Sequence, residues 1–396
     1  MKIKKLISSM LLCTVLSGCS DSSISHEIPL EQSNCPISTM RTGTYRQCIK
    51  SMANGFECTQ EGSYFMHIEP TIGSWLLYTD HGSDTVIKLC GRPDCNHNDR
   101  DCNAFFNKAY NICYYDGFLY TFDYKDSFST SSGDLIHMNL DGTERVSVYN
   151  TASFVQASGY RTVDCPIIFN GMLFLLCSNV DETGTTVSEC YYYKLDGSMD
   201  EPKIDSFFEP FLRADGESVV GPVDYDEEND LFIYGLWHPE KGVTAEFFKA
   251  KDIVSYGYIG TKARYYIEDG IIIEDSYTDG KTELIDTGLN GNYRLACFPD
   301  CMVIYKYLTD EEKLQGVTLE GANLYFYDWD CNDLGSVKIN YKLDGSMTGF
   351  ICGETPERII LTDDYFCTPH YYINKSDFGT GNIEIHALNV PDFETE

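Results

Sequence analysis

The chain is predicted to be all-β and to fold as a β-propeller. Three observations carry that prediction: a turn followed by an apolar strand recurs along the chain, strand-favouring aromatics abound, and long amphipathic helical patterns are scarce. The recurring element is found at Gly73–Tyr78, Asp116–Tyr120, Asn170–Phe174, Asn229–Tyr234, Asp269–Ile273, Asp300–Tyr305 and Glu357–Leu361. Its spacing averages about 48 residues, within the 40–50 expected when each repeat is a small sheet. Tyr193-Lys-Leu-Asp-Gly-Ser-Met199 returns as Tyr341-Lys-Leu-Asp-Gly-Ser-Met347, with a looser copy at Asn139-Leu-Asp-Gly-Thr143. Asp-Gly after an alternating apolar run marks a tight turn at a strand end, because Gly takes positive φ without a Cβ clash. A lone four-stranded sheet cannot bury both faces, whereas radial packing around an axis hides them and leaves only short edges. With 29 Tyr and 22 Phe, β propensity agrees. Seven blades are expected. The uneven spacing, short from 270 to 301 and long from 171 to 230, leaves six or eight open.

The elements follow in chain order. Lys2, Lys4 and Lys5 precede an apolar run from Leu6 to Leu16. A basic start followed by a short apolar stretch is the pattern of a signal peptide, and the run is too short for a mature membrane span. Leu16-Ser17-Gly18-Cys19 resembles the lipobox of bacterial lipoproteins. That resemblance implies cleavage before Cys19, acylation of its thiol, and a protein held on the extracytoplasmic face of the cell membrane. Two acyl chains make such an anchor stable where one is marginal. Residues 1–18 are therefore expected to be the signal peptide and 19–34, polar and without apolar periodicity, the lipidated N-terminus and tether. Residues 35–61 read as an N-terminal extension with a short helix over Thr44–Ala53, and 62–396 as the propeller domain. Thr309-Asp-Glu-Glu312 has the form of a capping box and predicts one helical turn inside an insertion.

Charge narrows the partners. The whole chain has 29 basic and 61 acidic side chains, net −32. Removing Lys2, Lys4 and Lys5 leaves 26 − 61 = −35. Such a surface opposes binding to nucleic acid and to anionic lipid, and its simplest role is to keep an exposed domain soluble. The expected partners are the membrane, through the lipid, and an extracellular ligand or envelope protein.

The most distinctive local motif is Cys90-Gly-Arg-Pro-Asp-Cys95-Asn-His97-Asn-Asp-Arg-Asp-Cys102, a C-x4-C-x-H-x4-C spacing between the first and second expected blades. Three thiolates and one imidazole can close a tetrahedral structural zinc site. The turn-forming residues between them suit a loop that gathers ligands. Disulfides, as in exported proteins, or free thiols are the alternatives, and the sequence leaves all three open. Without Cys13 and the lipidated Cys19, 15 of the 17 cysteines remain, and an odd number cannot pair completely. Cys297–Cys301, Cys165–Cys177 and Cys352–Cys367 are further candidate pairs.

Other motifs carry less. Asp224-x-Asp226-x-Glu228-x-Asp230 and Asp328-x-Asp330-x-Asn332 begin like calcium loops but lack the Gly and Glu that complete one, so solvated hairpin turns are expected there. There is no G-x-S-x-G elbow, phosphate-cradling Gly loop or H-E-x-x-H, and no catalytic residue is assigned. His238, His370 and His386 are expected to be packed or exposed.

The alternation of an apolar strand with an aromatic-rich strand ending in Leu-Asp-Gly-Ser/Thr, with the Cys/His loop, resembles bacterial surface lipoproteins built on a TolB-like or YWTD-like β-propeller, over roughly residues 62–390. No WD dipeptide ends the blades in register, and no Ser-x-Asp-x-Gly-x-Thr-Trp box is present. The resemblance implies a lipid-anchored propeller acting as a ligand- or protein-binding module. The alternative is an extracytoplasmic glycan-active hydrolase or lyase with carboxylates at the channel. A passive envelope component is a third reading.

Overall fold

A computed structural model describes residues 50–393 apart from short segments, the longest at 126–132, 151–161, 196–202, 206–212, 251–257 and 343–350. The signal peptide, Cys19 and the tether lie outside the described residues, as do Asp196 and Asp344 of the Leu-Asp-Gly repeats. The protein is an all-β propeller with almost no helix. The described residues form seven antiparallel sheets, numbered here in chain order.

Sheet 1 contains Phe56–Cys58, Gly62–Glu69, Gly73–Asp80 and Ile87–Lys88, with Phe105–Phe106 added beside Gly73–Asp80. Sheet 2 runs from Cys113–Tyr115 through Phe118–Tyr124 and Gly133–Met138 to Val146–Asn150. Sheet 3 takes Lys50–Ser51 as an extra strand beside Thr162–Phe169, then Met172–Val180, Thr186–Lys194 and Lys203–Asp205. Sheets 4 to 7 are four-stranded and begin at Arg213, Tyr258, Tyr293 and Ile351.

Each sheet packs on the next. Tyr64 and Leu76 of sheet 1, with Leu89 just past Ile87–Lys88, share a core with Leu119 and Met138 of sheet 2. Phe122 and Leu135 meet Ile168 and Leu173 of sheet 3. Trp237 of sheet 4 packs edge-on against Phe174 and Tyr192 of sheet 3. Tyr277, just past the third strand of sheet 5, stacks on Phe247 and Phe248 of sheet 4. Tyr265 and Ile272 join Ile304 and Trp329 across sheets 5 and 6. Val303 and Phe326 pack with Ile359 and Ile373 across sheets 6 and 7. Finally Ile360 and Tyr372 of sheet 7 return to Phe65 and Trp75 of sheet 1. The ring is therefore closed by burial of apolar surface, the dominant favourable term in folding.

The closure carries polar fasteners as well. Arg358, 7% exposed, donates to Ser83 O (2.7 Å) and to Asp84 (3.3 Å), and the Tyr372 hydroxyl donates to Asp84 at 2.6 Å. Asn389 bridges to the same turn: Val86 N–H donates to Asn389 O, and Asn389 N–H to Asp84 O.

Several expectations are realised with identifiable causes. Asp116-Gly117 and Asp269-Gly270 have both φ angles positive, the tight hairpin geometry that Asp-Gly predicts. Thr309 caps the short helix Asp310–Leu314: its hydroxyl accepts from Glu312 N–H, and Glu312 accepts from Thr309 N–H. Two boundaries differ. Sheet 1 begins at Phe56, ahead of the expected start at Gly62, and Lys50–Ser51, inside the span read as a helix over Thr44–Ala53, pairs as a strand with Ile167 and Ile168. Both strands are too short to show periodicity, and their partners are distant in sequence.

Candidate metal centre

The loop between Ile87–Lys88 and Phe105–Phe106 brings together all four residues that the sequence singled out. One ligand atom from each of Cys90, Cys95, His97 and Cys102 lies within 4.8 Å of every other. Cys102 Sγ is 3.7 Å from His97 Nδ1. A tetrahedral zinc with Zn–S near 2.3 Å and Zn–N near 2.0 Å requires ligand–ligand edges of about 3.6–3.8 Å. The Cys102–His97 edge already matches, and the remaining edges are at most 4.8 Å. Cys102 is 1% exposed, while Cys90, Cys95 and His97 are half-buried.

Local structure explains the convergence. Arg92 O accepts from Cys95 N–H at 3.3 Å, which closes a turn at Pro93-Asp94. His97 has φ 59°, a left-handed conformation uncommon outside Gly, and this turns its ring back toward the cysteines. Its N–H donates to Cys95 Sγ at 3.4 Å. Gly91 is needed for close approach: a Cβ there would stand 2.4 Å from Thr143 Cγ2 and 2.9 Å from Asp141 O.

The loop is docked on sheet 2. Asn103 donates to Gly142 O at 3.0 Å. Arg145 donates to Phe105 O at 2.6 Å, lies over the Phe106 ring at 3.9 Å, and pairs with Asp123 at 3.4 Å. Lys88 donates to His97 O at 3.1 Å and sits over Trp75 at 4.2 Å. Lys88 and Arg145 thus place positive charge near a site built from thiols, which favours thiolates.

The thiols differ. Burial works against ionising Cys90, yet the backbone N–H groups of Arg92 and Asn103 and the Cys95 and Cys102 thiols hold it below the ordinary cysteine value. Burial pushes the Cys102 thiol up to about 12, the direction expected when a thiolate would be desolvated. All three cysteines are free thiols. Four donors of this kind fit a closed d10 metal site, whereas one disulfide would use two of the sulfurs and leave the third unpaired.

The other singled-out residues are not brought together. Cys297 and Cys301 flank one hairpin and are not joined by a disulfide. The side chains of Cys165, Cys177 and Cys352, and all of Cys367, lie outside the described residues. Asp226 accepts from Asn229 and Lys249, and Asp328 accepts from Asn332 twice, so both acidic runs are hairpin turns. His238 is buried and accepts from Glu240 N–H, His370 lies 3.4 Å from Asp363, and His386 stacks on Tyr372. Sequence reading missed one cluster: Lys375 contacts Glu354 and Asp300. These residues come from two sheets and share no local motif.

Protein-family models and curated proteins give no match to this chain. Among solved structures, it is similar to a puromycin-hydrolysing peptidase of Mycobacterium tuberculosis at 10% identity and TM-score 0.48, covering 90% of this chain and 56% of that one. It is similar to Hsv2 of Kluyveromyces marxianus at 9% identity and TM-score 0.44, covering 83% and 93%. It is similar to TolB of Acinetobacter baumannii at 12% identity and TM-score 0.33, covering 69% and 62%. The chain spans little more than half the length of the peptidase. At these scores the likenesses carry no functional argument, and the propeller assignment rests on the sheet order and ring closure above.

Proposed function

We propose that the chain is a lipid-anchored, extracytoplasmic β-propeller that binds a ligand or an envelope protein through its loops, each of the seven sheets acting as one blade. The Cys90–Cys95–His97–Cys102 loop holds a structural zinc ion. The observation that carries this reading is the convergence of four protein ligands within 4.8 Å on a loop docked against the next sheet. A catalytic zinc keeps a position open for water or substrate, whereas four protein ligands close the site. The metal would then fix a connecting loop on a rigid scaffold, the arrangement in which binding residues collect. The signal-peptide pattern and Cys19 support the anchor.

A glycan-active enzyme needs two carboxylates free to flank a glycosidic bond. The carboxylates of Glu354 and Asp300 are both engaged by Lys375, which weighs against this pair in that role. The test is capture from intact cells with the anchored protein, compared with a variant lacking Cys19. Specific retention of a glycan, peptide or envelope protein is expected. Turnover of a polysaccharide by the purified protein, with no retained partner, would replace this reading with the enzymatic one.

A further inference from the structure

Where sheets 6 and 7 meet, an amine and two carboxyl groups are held in contact away from the metal loop. Glu354 ends the strand Ile351–Glu354, Lys375 follows Tyr371–Asn374, and Asp300 lies in the turn between Tyr293–Cys297 and Met302–Lys306. Lys375 Nζ is in direct contact with Glu354 Oε1 and lies 3.2 and 3.1 Å from the two Asp300 oxygens. The Lys375 backbone is pinned by its N–H donating to Glu357 O at 2.8 Å.

The exposures are unequal. The Glu354 side chain is 2% exposed, that of Lys375 10%, and that of Asp300 46%. Glu354 Oε2 is buried with no hydrogen-bond partner, a rare and costly state for a carboxylate oxygen. The neighbouring thiols Cys58 and Cys301 are fully buried, so this end of the cluster is desolvated. Burial, then the charge of Asp300, pushes the Glu354 carboxyl well above the ordinary range, against the lowering effect of Lys375. Burial works against ionising Asp300, yet Lys375 holds it below its ordinary value. Glu354 and Asp300 together hold the Lys375 ammonium above the ordinary lysine value despite its burial. Two carboxyl groups whose environments drive them apart are suited to different roles.

We infer that Lys375 and Glu354 condense into an intramolecular amide crosslink, with Asp300 relaying the protons. Asp300 carboxylate first takes a proton from the Lys375 ammonium, an uphill transfer that makes the linkage slow. The neutral amine nitrogen attacks Cδ of the neutral Glu354 carboxyl group, forming the C–N bond. Asp300 then gives its proton to the departing hydroxyl as the C–O bond breaks, and takes one from the new amide nitrogen. One water leaves, no electron is transferred, and Asp300 returns its last proton to solvent through its half-open side chain. The bond ties the first strand of sheet 7 to the end of its third. It also removes the buried unpaired oxygen, which leaves with the water.

Peptide mapping of the reduced, alkylated, full-length protein tests this. Trypsin should yield residues 343–358 joined to residues 359–396, lighter than the sum by one water, about 18 Da, with no cut after Lys375. Glu354→Gln should give the same joined species with an identical final mass, because it loses ammonia in place of water. Asp300→Asn should slow the linkage during refolding by about 100-fold or more. Separate wild-type peptides 343–358 and 359–375 would overturn the inference. So would a joined species containing residues 295–306, which would make Asp300 the acceptor.

Discussion

Removing the metal from the Cys/His loop should lower stability by a calculable amount. A ligand that binds only the folded state stabilises it by RT ln(1 + [L]/Kd), about 2.7 kcal/mol at a free concentration 100 times Kd. Residues 55–393 span roughly 340 positions. An unfolding entropy of about 2.1 cal/mol/K per residue gives roughly 0.7 kcal/mol/K for that length. The quotient is a fall in Tm of about 4 °C when zinc is stripped. The loss should be local before it is global, because the loop touches sheet 2 through Gly91, Asn103 and the 139–145 turn. Amide exchange at 139–145 should therefore rise on chelation while exchange in sheets 4 and 5 stays unchanged. Cys102→Ser, which removes the most buried ligand, should reproduce both effects without chelator. Elemental analysis should give one zinc per chain, and cobalt in its place should show thiolate-to-metal charge-transfer absorption. A zinc-replete preparation with far less than one metal per chain, and a Tm indifferent to chelator, would refute the site.

Other perturbations test the surroundings. Arg145→Met leaves Asp123, buried at 7% exposure, without its cation, and should cost about 3–5 kcal/mol in urea unfolding; a change below 1 kcal/mol would show that Asp123 is neutral or hydrated. Gly91→Ala forces the loop off Asp141 and Thr143 and should cost about 1–3 kcal/mol, with weaker zinc retention in competition with a chelator. Asp141 accepts from the Thr143 hydroxyl at 2.6 Å and its N–H at 2.9 Å, which hold its carboxyl below the ordinary aspartate value. The folded state then binds fewer protons than the unfolded, so this turn's stabilisation is present above pH about 4 and is lost as pH falls through the lowered folded value. NMR titration of the Asp141 carboxyl should find that lowered midpoint, and an ordinary one would contradict the assignment. Arg358→Leu removes the hydrogen bonds to Ser83 and Asp84 at the closing join and should cost about 2 kcal/mol, with faster amide exchange at Asp84–Val86.

The sequence was legible where the physics is local. The Asp116-Gly117 and Asp269-Gly270 turns, the Thr309 capping box and the gathering of Cys90, Cys95, His97 and Cys102 arise from contiguous patterns. The uneven repeat spacing has a structural cause. The turn at Asp269-Gly270 joins the second and third strands of its sheet, whereas that at Asp300 joins the first and second. The short interval therefore measures a change of hairpin rather than a missing repeat. Inner strands such as Phe56–Cys58 and Tyr258–Ile259 are too short to carry periodicity, and only the neighbouring sheet defines them. The Glu354–Lys375–Asp300 contact depends on two sheets meeting, which no window of sequence contains.

The distribution of polar fasteners follows from chain connectivity. Sheets 3, 4 and 5 meet through aromatic packing, Trp237 on Phe174 and Tyr277 on Phe247 and Phe248. Each of those joins is also held by the chain passing directly from one sheet to the next, which keeps the partners at high effective concentration. Sheets 7 and 1 are separated in the chain by all the other sheets, so bringing them together closes a long loop, at an entropy cost that grows with the logarithm of its length. Arg358, Asp84, Tyr372 and Asn389 lie on that join. The Lys375 cluster lies one join before it, and the Cys/His loop one join after. A ring opens at its least connected join, so stiffening the sheets on either side raises the cost of opening. Stripping zinc and substituting Arg358 should consequently be more than additive in their effect on exchange at Asp84–Val86, because both act on the freedom of sheet 1 to leave sheet 7.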